Sequence, residues 1–177
     1  ETFKNHTSIL FWSLGNESYA GDILVEMNRY YKEKDPDRLV HYEGVAENRP
    51  YEDLISDMES QMYAPPEKIK EYLENNPKKP FILCEYMHDM GNSLGGMESY
   101  IRLLDQYEDY QGGFIWDYID QALFVKDEVT GRDVLRYGGD FDDRPSDYEF
   151  SGNGILFADR TEKPAMQEVR HYYGLRR

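Results

Sequence analysis

Residues 9–18 read ILFWSLGNES, and this stretch decides the fold of the chain. It begins as the largely apolar run Ile9–Leu14 and ends in small and polar residues, among them Glu17. A second stretch has the same layout, because the apolar run Phe81–Cys84 is followed directly by Glu85. Continuous apolar runs of this length are typical of strands that are covered on both faces of a parallel sheet. The two stretches therefore predict a parallel sheet in which strands end in carboxylates.

Further strands and helices are predicted to alternate along the chain. Asp35-Pro36 ends the first helix, since proline cannot continue it, and Pro65-Pro66 opens the second. Strands alternating with helices indicate βαβ units, and hence an α/β fold with a parallel sheet. The other predicted strands are residues 39–42, 54–63 and 114–116, and the predicted helices lie around residues 23–31, 66–73, 94–104 and 164–173.

Two architectures fit this alternation, an open doubly wound sheet and a (β/α)8 barrel. The chain has no G-x-G-x-x-G turn after a strand, which weakens the dinucleotide-binding form of the open sheet. About five strands are predicted, whereas a full barrel needs eight strands and roughly 250 residues. If the fold is a barrel, its first strands lie outside this chain.

The composition argues against several classes of partner. The formal net charge is −15, whereas nucleic acids and anionic membrane surfaces both attract Lys and Arg. No apolar run approaches the length of a membrane span. The single cysteine, Cys84, allows no disulfide within the chain and is expected to be an inert, buried thiol. A neutral ligand such as a sugar remains compatible with this acidic chain and its 16 tyrosines.

Two carboxylates are the main candidates for chemistry. In parallel α/β folds the active groups sit at the C-terminal ends of strands, where Glu17 and Glu85 are predicted to lie. Glycoside hydrolysis needs such a pair, because one carboxyl group protonates the leaving oxygen and the other attacks the sugar or activates water. Acidic residues are also common at strand ends as helix caps. Spacing alone leaves both interpretations open.

Four segments carry a resemblance to a known family. Residues 12–18, WSLGNES, resemble the acid/base motif of family 2 glycoside hydrolases, and residues 82–93, ILCEYMHDMGNS, are similar to the nucleophile segment of its large β-galactosidases. Residues 111–117, QGGFIWD, and 137–141, YGGDF, resemble the family's eighth strand and the loop beyond it. The resemblance implies that residues 1–177 are one partial domain, the C-terminal part of a (β/α)8 TIM barrel, from about strand 4 to strand 8.

The resemblance also implies an activity, which is hydrolysis of terminal β-galactosides such as lactose with retention. In it, Glu17 corresponds to the general acid/base and, in magnesium-dependent members, to a metal ligand. Glu85 corresponds to the nucleophile that forms a galactosyl ester. Asn16 corresponds to the residue that hydrogen-bonds the sugar 2-hydroxyl, and Tyr63 to the tyrosine beside the nucleophile.

Four other positions match substrate-binding or metal-binding residues of the family. His88 resembles the histidine that contacts galactose, and Trp116 resembles the platform under the sugar's apolar face. Phe150 and Asn153 match a carbonyl and a side chain that bind sodium. Glu43 is expected to support the site without touching the substrate.

The resemblance predicts a larger parent protein. The family's other magnesium and sodium ligands, further galactose contacts and flanking β-sandwich domains come from sequence outside this chain. The parent is expected to be a homo-oligomer that uses Mg²⁺ and Na⁺, and it is expected in the cytoplasm, or in the periplasm or outside the cell if a signal precedes Glu1. A chain of a naturally split enzyme is a less favoured interpretation. The alternative function is a piece that only binds carbohydrate or is structural, without activity.

Overall fold

Strands and helices alternate in a computed structural model of the chain, which describes residues 1–91 and 93–175. The first five strands are each separated from the next by helical structure. The strands are β1 (Phe11–Ser13), β2 (Leu39–His41), β3 (Glu59–Met62), β4 (Phe81–Tyr86), β5 (Tyr110–Ile115), β6 (Leu123–Lys126) and β7 (Asp133–Arg136). The helices are α1 (Asp22–Lys34), α2 (Glu52–Ile55), α3 (Pro66–Glu74), α4 (Met97–Gln106) and α5 (Met166–Gly174), with short 3-10 helices at Glu43–Ala46, Arg49–Tyr51 and Tyr148–Ser151.

In the described residues the strands form three sheets, β1-β2, β3-β4-β5 and β6-β7, each in chain order. β1 and β2 run parallel, with Phe11 opposite Leu39, and β3, β4 and β5 are neighbours in that order. The backbone N–H of Asp57 donates to the carbonyl of Val40 at 2.8 Å, which links the approach to β3 with β2. Parallel pairing with a helix in each connection is the pattern of an α/β fold. The predicted α/β class is therefore confirmed.

Two strand predictions need correction. The segment 54–63 is a strand only over β3, because Ser56 turns the chain by accepting the N–H of Tyr42 at 3.1 Å and donating to the carbonyl of Met58 at 2.8 Å. The residues before Ser56 form α2 instead. The last predicted strand, 114–116, starts earlier, at Tyr110, and ends before Trp116. Its Gly112-Gly113 pair hid this start, since glycine is depleted in strands.

An antiparallel hairpin is a feature that the sequence did not indicate. β6 pairs with β7 over four residues, from Leu123 opposite Arg136 to Lys126 opposite Asp133. Both strands are short and largely exposed. Exposed strands carry little hydrophobic periodicity, which explains why the pattern was missed.

The four predicted helices are all present. Two begin later than the pattern suggested, because α4 starts at Met97 after Gly95-Gly96, and α5 starts at Met166, two residues beyond Pro164. In the described residues, no helix is long and apolar enough to cross a membrane.

The chain divides into two compact units. The first unit comprises Glu1–Cys84 and Leu103–Gly113, and the second comprises Glu85–Arg102 and Phe114–Arg177. In the first unit, apolar side chains of α1 pack against β2 and the loops that follow β1 and β2. The buried members of this core are Leu14, Ala20, Leu24, Val25, Val40, Tyr42, Val45 and Ile55.

Candidate active site

The turn after β1 carries Asn16 and Glu17, and both side chains are exposed. Glu17 has a backbone φ of +55°, a conformation that few residues other than glycine adopt. Its N–H donates to Oε1 of Glu43 at 2.6 Å. Hydrogen bonds to an ionised acceptor are about twice as strong as neutral ones. The buried carboxylate of Glu43 thus holds the backbone of Glu17 in its unusual conformation.

Tyr42 holds the same turn on the next residue. The N–H of Ser18 donates to the Tyr42 hydroxyl at 2.9 Å, and that hydroxyl donates to the Ser18 carbonyl. Burial raises the pKa of Tyr42, so its hydroxyl keeps the proton that it donates. Gly44 makes room for this arrangement, because a Cβ there would stand 2.6 Å from the Ser18 carbonyl and from the Tyr42 ring. The end of β2 therefore fixes the turn that carries Glu17.

His41 lies buried at the end of β2, between two serine hydroxyls. Its Nδ1 is 3.0 Å from Oγ of Ser13, and its Nε2 is 2.8 Å from Oγ of Ser60. Burial lowers the pKa of His41 to about 4, because a charged imidazole is disfavoured away from water. The ring is therefore neutral at neutral pH, and it connects β1, β2 and β3.

An open cleft of about 370 Å³ lies beside the Glu17 turn. Three carboxylates face it, those of Glu17, Glu43 and Glu47, and no Lys or Arg is among the described residues that line it. Such a cleft attracts cations and repels anionic ligands. The lining residues are Glu17, Ser18, Glu43, Gly44, Ala46, Glu47, Gln61 and Met62. Tyr63 follows directly after β3, with a φ of +51°.

In the second unit, Glu85 is the fifth residue of β4, and its neighbours are tied to the end of β5. The N–H of Trp116 donates to the carbonyl of Tyr86 at 3.0 Å, and the N–H of Asp89 donates to the carbonyl of Trp116 at 2.9 Å. The two hydrogen bonds hold the segment after Glu85 beside Trp116. Tyr86 also contacts the Tyr173 hydroxyl at 2.9 Å, which anchors this strand to α5.

His88, Phe150 and Asn153 lie close together in the second unit. The rings of His88 and Phe150 are 5.8 Å apart between centroids. Nδ2 of Asn153 donates to the Phe150 carbonyl, while the buried Oδ1 of Asn153 has no hydrogen-bond partner among the described residues. The N–H of Asp117 donates to the Asn153 carbonyl at 2.7 Å, which joins this segment to the residue after Trp116.

Asp120 and Lys163 hydrogen-bond to the backbone on both sides of Asn153. Oδ1 of Asp120 accepts the N–H of Gly154 and the ammonium of Lys163, each at 2.8 Å, and Lys163 also donates to the Gly152 carbonyl at 3.2 Å. The backbones of Gly154 and Asp120 approach closely, since a Cβ on Gly154 would stand 2.2 Å from the backbone nitrogen of Asp120. The ion pair and this close approach fix the position of Asn153.

Asp89 is a buried acid that the sequence did not single out. It is 2% exposed, and its Oδ2 has no hydrogen-bond partner among the described residues. Burial raises the pKa of Asp89, and the negative charge of Asp120 raises it further, whereas Lys163 and His88 oppose this shift. The side chain thus holds its proton more tightly than an exposed aspartate.

The structure places the predicted site residues in two groups. The first unit holds Asn16, Glu17 and Tyr63, and the second holds Glu85, His88, Trp116, Phe150 and Asn153. Sequence reasoning missed Tyr42 and Asp89. The position of Tyr42 next to Glu43, directly after a predicted strand, was the one available signal for its role.

Three non-glycine residues that come after strands share a left-handed backbone conformation. Tyr63 and Met87 directly follow β3 and β4, Glu17 lies in the turn after β1, and each has a φ between +51° and +55°. Non-glycine residues in this conformation are costly and cluster at functional sites. The sequence does not reveal this left-handed conformation, because none of the three residues is glycine.

Comparisons with known proteins identify relatives along the whole chain. The model of the family described as "Glycosyl hydrolases family 2, TIM barrel domain" matches residues 1–176. The chain is 75% identical over 174 residues to the "Beta-galactosidase large subunit" of Latilactobacillus sakei, and 73% identical over 175 residues to the protein of the same name from Lactobacillus helveticus. These matches cover 98% and 99% of this chain and 28% of each relative, so the chain spans just over a quarter of their length.

Solved structures show the same fold at low identity. The GH2 beta-galacturonidase from Eisenbergiella tayi bound to galacturonate has a TM-score of 0.61 at 16% identity, covering 98% of this chain and 34% of that protein. The Lactobacillus rhamnosus beta-glucuronidase has a TM-score of 0.60 at 18% identity, covering 98% of this chain and 33% of that protein. The fold is thus of the α/β TIM-barrel type.

Proposed function

This chain belongs to family 2 of the glycosyl hydrolases, as part of its TIM-barrel domain, and we propose that it carries both catalytic carboxylates of a β-galactosidase. The observation that carries the proposal is the 75% identity to a beta-galactosidase large subunit, over a stretch that includes Glu17 and Glu85. The clamped turn at Glu17 supports it, because Glu43 and Tyr42 hold an exposed carboxylate in a defined place. Groups that are positioned in advance are what a catalytic site requires.

The first chemical step forms a galactosyl ester. A carboxylate oxygen of Glu85 attacks the anomeric carbon of the galactoside, and the bond from that carbon to the glycosidic oxygen breaks. The carboxyl group of Glu17 gives its proton to the leaving oxygen, so that the aglycone departs as an alcohol. Glu85 loses its negative charge when it forms the neutral ester, and Glu17 is left as a carboxylate, so the single negative charge is conserved.

The second step releases galactose. The Glu17 carboxylate takes a proton from water as the water oxygen attacks the anomeric carbon, and the ester bond to Glu85 breaks. Glu85 returns to a carboxylate and Glu17 to an acid. Two inversions at one carbon give net retention, and the carboxyl groups of retaining enzymes stand about 5–5.5 Å apart.

The other predicted residues are assigned to the sugar. Asn16 binds the 2-hydroxyl, where hydrogen bonds strengthen in the transition state. His88 binds a galactose hydroxyl, and Trp116 lies under the apolar face of the ring. Tyr63 supports the nucleophile and its departure from the ester.

A sodium ion is proposed to bind at Phe150 and Asn153 in the second unit. The amide nitrogen of Asn153 donates to the Phe150 carbonyl, and its buried amide oxygen has no hydrogen-bond partner among the described residues. Rotating the amide by half a turn brings two oxygens together, which is the donor set that hard cations prefer. When bound, sodium would supply positive charge near the sugar.

Magnesium would be held in part by Glu17. A magnesium ion needs several oxygen ligands in octahedral geometry, and waters or residues from the rest of the protein would complete the set. When bound, it would supply positive charge beside the acid/base.

The parent protein is proposed to be a larger assembly. The chain would supply about strands 4 to 8 of the barrel, as a partial domain over residues 1–177, and the rest of the parent would supply the other strands. Two relatives are named as large subunits, so a second, smaller chain is an expected partner. A homo-oligomer of the parent remains part of the proposal.

The stereochemistry of hydrolysis tests the mechanism. We expect the full-length protein to release galactose first as the β anomer, because the galactosyl ester inverts the anomeric carbon and water inverts it again. Proton NMR of the anomeric signal, recorded before mutarotation, measures this directly. Release of the α anomer first would mean that Glu85 activates water instead of attacking the sugar.

Glu17→Gln tests the role of the acid. General acid catalysis is worth about 10²–10⁴-fold, so kcat/KM for lactose should fall by about that factor in the full-length protein. Activated aryl galactosides should lose much less in the first step, because their leaving groups need no proton. Glu47→Gln is the matched control, since it removes another exposed carboxylate from the same cleft. Equal losses on all substrates would contradict the assignment of Glu17.

Glu43→Ala tests the backbone support of Glu17. The charged hydrogen bond to the Glu17 N–H is worth about 1.5–3 kcal/mol, so kcat/KM should fall by about 10–100-fold. Glu43→Gln keeps an oxygen acceptor and should recover much of this loss. Substrates with poor leaving groups should suffer most, because the defect acts through the acid. A loss independent of the leaving group would assign Glu43 to folding alone.

A further inference from the structure

Three side chains with metal-binding atoms converge inside the first unit. One nitrogen of His41, a carboxylate oxygen of Glu43 and the Cys84 sulfur all lie within 4.8 Å of one another. His41 and Glu43 are buried and Cys84 is half-buried. They come from β2, from the 3-10 helix that follows it and from β4, so the fold itself brings them together. All three residues belong to the first unit, whereas Phe150 and Asn153 belong to the second.

We infer that His41, Glu43 and Cys84 form a binding site for a thiophilic divalent cation, with Zn²⁺ as the best match. Zinc takes nitrogen, oxygen and sulfur ligands in tetrahedral geometry, and sites with three protein ligands keep a water in the fourth position. A tetrahedral zinc ion holds its ligand atoms roughly 3.5 Å apart, so these side chains need to close in by roughly 1 Å. Magnesium prefers oxygen ligands and is a poor fit to a thiolate and an imidazole.

The surroundings of His41 suit a metal ligand. A ligating histidine usually has a hydrogen-bond partner on its other ring nitrogen, which fixes the ring orientation. Here Ser13 and Ser60 contact the two nitrogens at 3.0 and 2.8 Å, so one serine holds the ring when the ion takes the place of the other. The neutral ring has a lone pair for the ion without first losing a proton.

A cation can reach this cluster from the acidic cleft. Glu43 belongs to the cluster and also lines the cleft beside Glu17 and Glu47, whose charges attract cations. A bound ion would act on Glu17, because Glu43 accepts the Glu17 N–H at 2.6 Å. Zinc at this position withdraws negative charge from Glu43 and weakens its hold on the turn. This consequence, inhibition by zinc, rests on the proposed function, whereas binding of the ion does not.

Cadmium is the spectroscopic probe for binding, since a cadmium thiolate absorbs in the ultraviolet. The full-length protein, loaded with Mg²⁺ and free of small thiols, is titrated with Cd²⁺, and the spectrum of Cys84→Ser is subtracted from that of the unsubstituted protein. We expect a thiolate band that saturates at one ion per chain. His41→Gln should weaken binding at least about 100-fold, because loss of an outer-shell partner alone costs about 10–100-fold. His171→Gln, at an exposed position on α5, is the matched control and should bind normally.

Inhibition by Zn²⁺ is measured on the same proteins. Zinc should inhibit galactoside hydrolysis by the Mg²⁺-loaded protein, and Cys84→Ser should be at least about tenfold less sensitive, since the sulfur ligand is gone. A thiolate band without inhibition would keep the site and overturn its link to Glu17. The site itself would be overturned if Cys84→Ser showed the same cadmium-thiolate absorption as the unsubstituted protein, or if the unsubstituted protein showed none. An inactive protein that still shows the difference band would count against the proposed function and not against the metal site.

Discussion

Glu85→Gln in the full-length protein should abolish hydrolysis of every β-galactoside, with kcat lower by about 10⁴–10⁶-fold. An amide cannot attack the anomeric carbon to form the ester, so the loss should not depend on the leaving group. This independence separates Glu85 from Glu17, for which activated substrates bypass the defect. Initial rates on lactose and on an activated aryl galactoside measure both effects.

Two further variants sharpen the test of Glu85. Glu85→Asp keeps the carboxylate but draws it back by one methylene, and a misplacement of about 1 Å can cost about 10²-fold. Its activity should therefore lie between those of Glu85→Gln and the unsubstituted protein. Glu98→Gln, an exposed residue of α4 in an ion pair with Arg102, is the control and should change little. If Glu85→Gln kept a tenth of the activity, another residue would be the nucleophile.

The 177-residue chain alone should have at least about 100-fold less galactosidase activity than the full-length protein. Loss of a single preorganised donor already costs about 10²–10³-fold, and the relatives are more than three times as long as this stretch. A barrel removes its sheet edges by closing on itself, whereas β1 pairs on one side only, with β2, in the described residues. The side chains of Leu10 and Ile23 are 75% and 76% exposed, and this apolar surface favours association between copies of the isolated chain.

The assay uses a chromogenic galactoside with Mg²⁺ and Na⁺ present. Size-exclusion chromatography run in parallel should show aggregates or swapped oligomers instead of a monomer. The control is the full-length protein under the same conditions. Turnover by the isolated chain at a rate close to that of the control, and lost in Glu85→Gln, would show that the remaining strands are dispensable.

Periodicity and apolar runs predicted the parts of the fold that depend on local sequence. The apolar run of β4 marks a largely buried strand, as expected, whereas β1 is only half-buried, with Leu10 before it 75% exposed. Helix α1 ends at Lys34, beside the Asp35-Pro36 stop. β5 was placed too late, because its start contains two glycines. β6 and β7 were missed, because their exposed residues carry no clear pattern.

The contacts that shape the candidate site are long-range, and no local pattern reports them. Tyr42 reaches Ser18 across 24 residues, and Glu43 reaches Glu17 across 26. The pKa of Asp89 likewise responds to charges far along the chain, since Asp120 raises it and Lys163 lowers it. The choice of Glu17 and Glu85 as the functional carboxylates rests on the resemblance to a family and stays a prediction, whereas the folded chain shows the contacts that hold the Glu17 turn.

The absence of a side chain at Gly44 sets limits on engineering this cleft. Any other residue there would collide with Ser18 and Tyr42, and so would displace the Glu17 turn without altering an acid. In the second unit, Gly154 is restricted in the same way, because a Cβ there would collide with the backbone of Asp120. A mutant library that varies this cleft should therefore keep Gly44 constant and place its diversity at Gln61 and Met62, whose side chains line the cleft.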